Sequence, residues 1–199
     1  MSVLSSGPGG RWRVDAFKRW LHTFGGGVFN SSGEVVLNSP QALETLTWMR
    51  DFNDSVAGGI AELKAFYSRF GSGQETNFGN GRVAMLMWGD YVWGVLRGRH
   101  PDLRMTMGLM PMHPEVGPRS IVAPGWGYGN FSYAYPDETW LLLRWLTLEA
   151  EGGLQFALGE GRASVVPEAN LNPLYFDQHA YWHVFIDAVN KAVPWYSGP

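Results

Sequence analysis

The sequence predicts an α/β fold, and three observations carry that prediction. Segments with apolar residues at helical spacing alternate along the chain with short extended runs. Glycine, at 26 residues, falls between the periodic segments, where it marks tight turns of an ordered chain rather than a linker. The 199 residues are 45% hydrophobic, in the soluble globular range and long enough for one ordinary domain or parts of two small lobes. No internal repeat and no low-complexity tract interrupts them.

After an irregular start, residues 14–24 (VDAFKRWLHTF) place Phe17, Trp20, Leu21 and Phe24 at the i, i+3, i+4, i+7 spacing of an amphipathic helix, ended by Gly25, Gly26 and Gly27. Residues 30–33 read as a turn between two short extended pieces. Ser39 then reads as an N-cap with Pro40 at the first helical position, opening a helix to about Asn53, with Trp48 packed inside. A second helix is predicted over 60–70, followed by the glycine-studded loop GSGQETNFGNG.

The stretch NGRVAMLMWGDYVWG, residues 80–94, is the unusual one. Residues 83–88 read as a buried strand and Gly89 breaks it. Asp90 is placed to cap a short helix through Trp93 and Leu96. Trp88, Tyr91 and Trp93 therefore gather at a strand-to-helix junction. Residues 104–110 read as another extended run, closed by a stretch with prolines at 111, 114 and 118 that suits a crossover between substructures. Residues 121–135 suit an extended, partly exposed segment. Asp137 is expected to cap an apolar helix in which Trp140 and Trp145 sit at core spacing, and a shorter helix follows in GGLQFALGEG. The tail predicts one helix over 177–192, ended by Pro194.

Charge and composition exclude several functions. A net charge of −3, with 15 Lys+Arg against 18 Asp+Glu and no long run of either, leaves no basic stripe for phosphates, so no nucleic-acid partner is expected. Zero cysteines exclude a disulfide framework, a thiolate metal site and a cysteine nucleophile. The opening residues lack a basic stretch followed by an apolar one, and no window approaches about 18 consecutive apolar residues. As written, the sequence is expected to carry no export signal and no anchor.

No catalytic motif emerges. There is no G-x-S-x-G elbow and no phosphate-binding G-x-x-x-x-G-K-[ST] loop, and GWGYGN departs from the dinucleotide fingerprint. His179 and His183 are four apart, but Ala180 stands where a zinc protease has its glutamate, and two ordinary helix histidines are the plainer reading. Asp51 with Asp54, or Glu149 with Glu151, could form a carboxylate pair for glycoside hydrolysis; surface solvation is the plainer reading of all four. No cofactor and no metal site is expected.

Aromatics, at 15% of the chain with 10 Trp, exceed what a core of this size needs. A flat ring beside hydrogen-bonding groups matches a sugar, which presents C–H on its faces and hydroxyls at its edge. Trp88, Tyr91 and Trp93 with Asp90 offer that combination, as does Trp126 between Gly125 and Gly127. Core filling at the strand-to-helix junction is the competing reading of the same rings.

Three stretches together resemble the carbohydrate-type extracellular solute-binding proteins of ABC importers, relatives of the maltose-binding protein. They are FGGGVFNSSGEVVLNSPQALETLTWMRDF, NGRVAMLMWGDYVWG and APGWGYGNFSYAYPDETWLLLRWLTLEAEGGLQFALGEGRASVVP, which cover most of residues 24–167 in the family's order. The resemblance implies an incomplete, type II periplasmic-binding-protein-like α/β fold, helix-rich with short strands, containing parts of two lobes. Residues 1–110 would lie mainly in the second lobe, 111–117 form a crossover, 118–170 complete the first lobe, and 171–199 return toward the second. It implies a non-enzymatic protein that binds a mono- or oligosaccharide in an interlobe cleft and hands it to a membrane permease, working in the periplasm or outside the cell. By position, Trp88, Asp90, Tyr91, Gly125 and Trp126 are the implied ligand-binding residues.

The sequence departs from the family pattern in places. Arg82 replaces a customary lysine, Asn30 a customary aspartate, and Trp88 is bulkier than the usual residue before the glycine. Family members are about twice as long, so the sequence reads as their later half, with apolar surface such as residues 141–143 expected to be left uncovered. A glycan-acting enzyme fragment and an α/β fragment without retained activity are the rival expectations.

Overall fold

Among the described residues, four short strands make two parallel pairs. The computed structural model describes residues 2–5, 14–71, 73–117, 120–122, 129 and 134–194. β1 (Ser2–Ser5) pairs in parallel with β2 (Val83–Leu86), Ser2 opposite Val83 and Ser5 opposite Leu86. β3 (Ser120–Val122) pairs in parallel with β4 (Ala192–Pro194), Ser120 opposite Ala192. Parallel neighbours need long connections, and here helices supply them. Residues 2–5 are thus a strand rather than irregular. Their partner lies some eighty residues away, where local patterning gives no sign of it.

Helix α1 (Val14–Thr23) buries Ala16, Trp20 and Leu21. α2 (Pro40–Phe52) opens as its cap predicts, with the Ser39 hydroxyl accepting the Ala42 N–H at 3.3 Å and Pro40 in the first turn. The two helices meet through Trp20 and Trp48, ring centroids 4.4 Å apart, and Ala16, Trp20 and Met49 form one buried cluster. The turn between them is as predicted: Gly33 has φ +79°, and the Asn30 side-chain oxygen accepts the Ser32 and Glu34 N–H groups, both at 2.9 Å. A π turn (Asn53–Ala57) ends at Gly58 and leads to α3 (Ile60–Phe70).

The glycine-studded segment that follows holds a further short helix, α4 (Gln74–Gly79), before β2, and α5 (Val92–Arg99) follows that strand. Residues 103–113 run without regular secondary structure, so the extended run expected over 104–110 forms no strand. Alternation of Met and Leu with polar residues satisfies a half-buried irregular segment as well as a strand.

α6 (Pro136–Leu148) starts from Tyr135, which has φ +56°; Pro136 opens the first turn and no side chain caps it. Asp137 is therefore inside the first turn rather than the cap, where its charge still favours the helix dipole. The core placement of Trp140 and Trp145 is also corrected. No residue of α6 is buried, Trp140 is 58% exposed, and Trp145 keeps only a partial cover where α7 (Ala150–Glu160) crosses it. Helical spacing gives the apolar face but not what covers it. The expected exposure near residues 141–143 holds for Leu141 (61%) and Leu142 (55%).

The single helix expected over 177–192 is interrupted once, at residues 179–181. α8 (Pro167–Asn170), α9 (Pro173–Gln178) and α10 (Trp182–Asn190) follow α7, and residues 179–181 interrupt the last two. The interruption puts His179 into the core and leaves His183 exposed. The second buried cluster is Ala157, Tyr175 and Trp182, with the Tyr175 and Trp182 rings stacked 4.2 Å apart at 13°. No described helix is long and apolar enough to cross a membrane.

Candidate functional site

The aromatic junction takes shape from the end of β2. Residues 87–91 leave the strand without regular structure, and α5 then carries Trp93 inward. Trp93 is buried, 6% exposed, and stacks on His179 with centroids 4.6 Å apart. It is a packing residue, which corrects its place among the platform rings. Trp88 and Tyr91 are half-buried at the junction. The Trp88 indole N–H donates to the Tyr91 hydroxyl at 2.6 Å. Because indole nitrogen only donates, Tyr91 must accept, which leaves its own O–H proton free for another acceptor.

Gly89 allows this arrangement. A side chain there would meet the Tyr91 ring, with a Cβ 3.2 Å from ring carbon Cε1 and 3.3 Å from Cδ1, so the ring folds back over bare backbone. Asp90 braces the loop from below. One carboxylate oxygen accepts the Tyr91 N–H at 3.0 Å and the other accepts the Ala163 N–H at 2.7 Å. Asp90 is thus one residue too early to be the N-cap of α5, and it ties the loop to the segment after α7 instead.

That segment is itself firmly held. Gly161, at φ +64°, closes α7 in the left-handed conformation that suits glycine. Asn170 clasps Ser164 twice, accepting its N–H at 2.7 Å and donating to its carbonyl at 2.8 Å. Tyr175 donates its hydroxyl to the Arg162 carbonyl at 3.0 Å, and the Trp182 indole donates to the Asn170 carbonyl at 2.8 Å. Burial, reinforced by the negative charge of Asp90, pushes the Tyr175 hydroxyl up to about 12, so it remains a donor at any physiological pH. The Arg162 guanidinium lies over the Tyr91 ring, its carbon 4.6 Å from the centroid.

Beneath the junction, His179 is walled by Trp93, Trp182 and Phe185. Its Nδ1 accepts the Tyr181 N–H at 3.3 Å, its Nε2 is buried without a partner, and burial pushes its pKa down to about 4. It is a neutral packing group, and with His183 on the far side of the helix interruption the pair does not share a helical face. Among the described residues no three His, Asp or Glu side chains gather where they could hold a metal ion. Asp51 pairs with Arg50 and Glu149 with Arg144, as surface carboxylates do.

The structure therefore brings together Trp88, Asp90 and Tyr91. Gly125 and Trp126 lie outside the described residues. Arg162, Asn170 and Tyr175 were missed by sequence reasoning. A lone arginine after a helix-closing glycine carries no motif, and only the fold sets it against a ring 71 positions earlier.

No family model matches the chain, and no curated protein matches it. A solved structure does. The maltose-bound MalE3 of T. maritima superposes with a TM-score of 0.71 at 23% sequence identity, covering 96% of this chain and 49% of that one. The fold is accordingly that of a periplasmic binding protein, helix-rich with few and short strands. The chain spans about half the length of that neighbour.

Proposed function

We propose that this chain is the sugar-contacting part of a solute-binding protein that serves an ABC importer, with Trp88 and Tyr91 as its stacking surface. The observation that carries the reading is the Trp88–Tyr91 pair, two half-buried rings joined by a 2.6 Å hydrogen bond on a loop whose Asp90 carboxylate accepts the Tyr91 and Ala163 N–H groups. Rings fixed before the ligand arrives lose little entropy on binding, which is what a shallow hydroxylated ligand needs from its platform. The fold shared with a maltose-bound protein supports the same ligand class.

In this reading a mono- or oligosaccharide lays a face against the aromatic pair while the free Tyr91 O–H donates to a ring or hydroxyl oxygen. Asp90 acts chiefly by positioning, since each of its oxygens already takes a backbone N–H. Gly125 and Trp126 supply a further wall, as the sequence resemblance implies. Residues 1–110 and 118–170 belong to different lobes joined through 111–117, and closure of the lobes on sugar signals to a membrane permease. Two separate strand pairs support a division into two substructures. The work done is binding without chemistry, outside the cytoplasm.

Titration with a panel of mono- and oligosaccharides, followed by tryptophan fluorescence, tests the reading. A saturable change that Tyr91→Ala abolishes is expected. No saturable change with any sugar would overturn it.

A further inference from the structure

Arg162 has an unusual situation. Its backbone is fixed on every side: its N–H donates to the Ala157 carbonyl at 2.9 Å, its carbonyl accepts the Tyr175 hydroxyl at 3.0 Å, and the next N–H is held by Asp90 at 2.7 Å. Its guanidinium rests on the Tyr91 ring. Among the described residues that guanidinium makes no hydrogen bond and no ion pair. Five N–H donors are therefore unspent on a half-buried side chain at the edge of the platform.

Asp90 does not use them, because both its oxygens are turned to backbone N–H groups. A guanidinium whose carbon stands 4.6 Å over a ring and which bonds no described residue keeps its N–H edge for a ligand, and that fork matches a planar carboxylate with two parallel hydrogen bonds. A neutral sugar hydroxyl fills the same fork with single, weaker acceptors. We propose that Arg162 selects saccharides bearing a carboxylate, of the uronic-acid class, pairing with the carboxylate while Tyr91 holds the sugar ring. This rests on the sugar-binding reading above.

The test compares digalacturonate with its dimethyl ester, which keeps the rings and removes the charge, alongside neutral disaccharides such as maltose and cellobiose. Binding to the full chain is followed by calorimetry. Digalacturonate is expected to bind about tenfold more tightly than the ester, the gap between a charge-assisted and a neutral hydrogen-bond pair. Arg162→Gln is expected to remove that preference, so that acid and ester bind with equal affinity, and Arg162→Lys to restore part of it, since the charge returns without the fork. Ester or neutral sugars binding as tightly as the acid, or a preference that survives Arg162→Gln, would overturn the role of Arg162 and leave the sugar reading standing. Binding by neither acidic nor neutral sugars would overturn both.

Discussion

The Asp90 carboxylate accepts the backbone N–H of Ala163, 73 residues further along the chain, at 2.7 Å. With its other oxygen on the Tyr91 N–H, it locks the aromatic loop to the segment that carries Arg162. A charged acceptor is needed because a single carboxylate must serve two donors at once.

Asp90→Asn should therefore lower stability by about 1–3 kcal/mol, because an amide offers one acceptor and sets its NH2 against the other N–H. Urea unfolding would read the loss. Tyr175 should titrate at lower pH in the same variant, as the neighbouring negative charge is gone. An unchanged midpoint would mean that the two loops hold together without the clamp.

His179 predicts a pH dependence. Its folded pKa, about 4, lies below the ordinary 6.5, so between those values the unfolded chain binds a proton that the folded chain refuses. Stability is full above about pH 6.5 and falls as pH drops toward 4, by up to about 3 kcal/mol from this group. Urea midpoints at pH 7, 5.5 and 4.5 should decline in that order. Replacing the imidazole by His179→Phe should flatten the slope, and an equal slope in that variant would place its origin elsewhere.

At Gly152, α7 passes tightly against α6. A Cβ there would fall on the Trp145 carbonyl oxygen and indole. Backbone cannot give way as a side-chain end can, so Gly152→Ala should cost about 1–3 kcal/mol, seen as a lowered Tm. Gly159→Ala, in the same helix with open space around it, is the control and should cost nothing.

The α6 face should behave as surface. Leu142→Lys should leave the melt within about 0.5 kcal/mol and reduce binding of a hydrophobic dye, since the leucine is more than half exposed. Trp182→Ala, which removes a fully buried ring and its hydrogen bond to Asn170, should cost about 3–5 kcal/mol.

The helices were legible in the sequence where their signals are local. Ser39-Pro40 opens α2 as its cap chemistry requires, and the 60–70 segment matches α3 residue for residue. Legibility failed where the cause is distant in sequence. β1 depends on a partner strand at 83–86, and the break at His179 sets its ring against Trp93 of another helix. The exposure of Trp140 shows the same limit, because spacing defines a face without naming its cover. At the candidate site, Trp88 and Tyr91 stood out as excess rings beside glycine. Arg162 did not, since its meaning lies wholly in what it rests on.

Sugar held at the Trp88–Tyr91 pair would change the surroundings of the Trp88 indole. The most direct measurement follows the indole N–H resonances of the 15N-labelled chain during titration with a saccharide, with Trp88 assigned from the signal missing in Trp88→Phe. The Trp88 resonance, whose N–H is spent on Tyr91, should shift with saturation while that of Trp182, buried and bonded to Asn170, stays fixed. Saturable binding that leaves the Trp88 resonance unmoved would mean that sugar is not held at this pair.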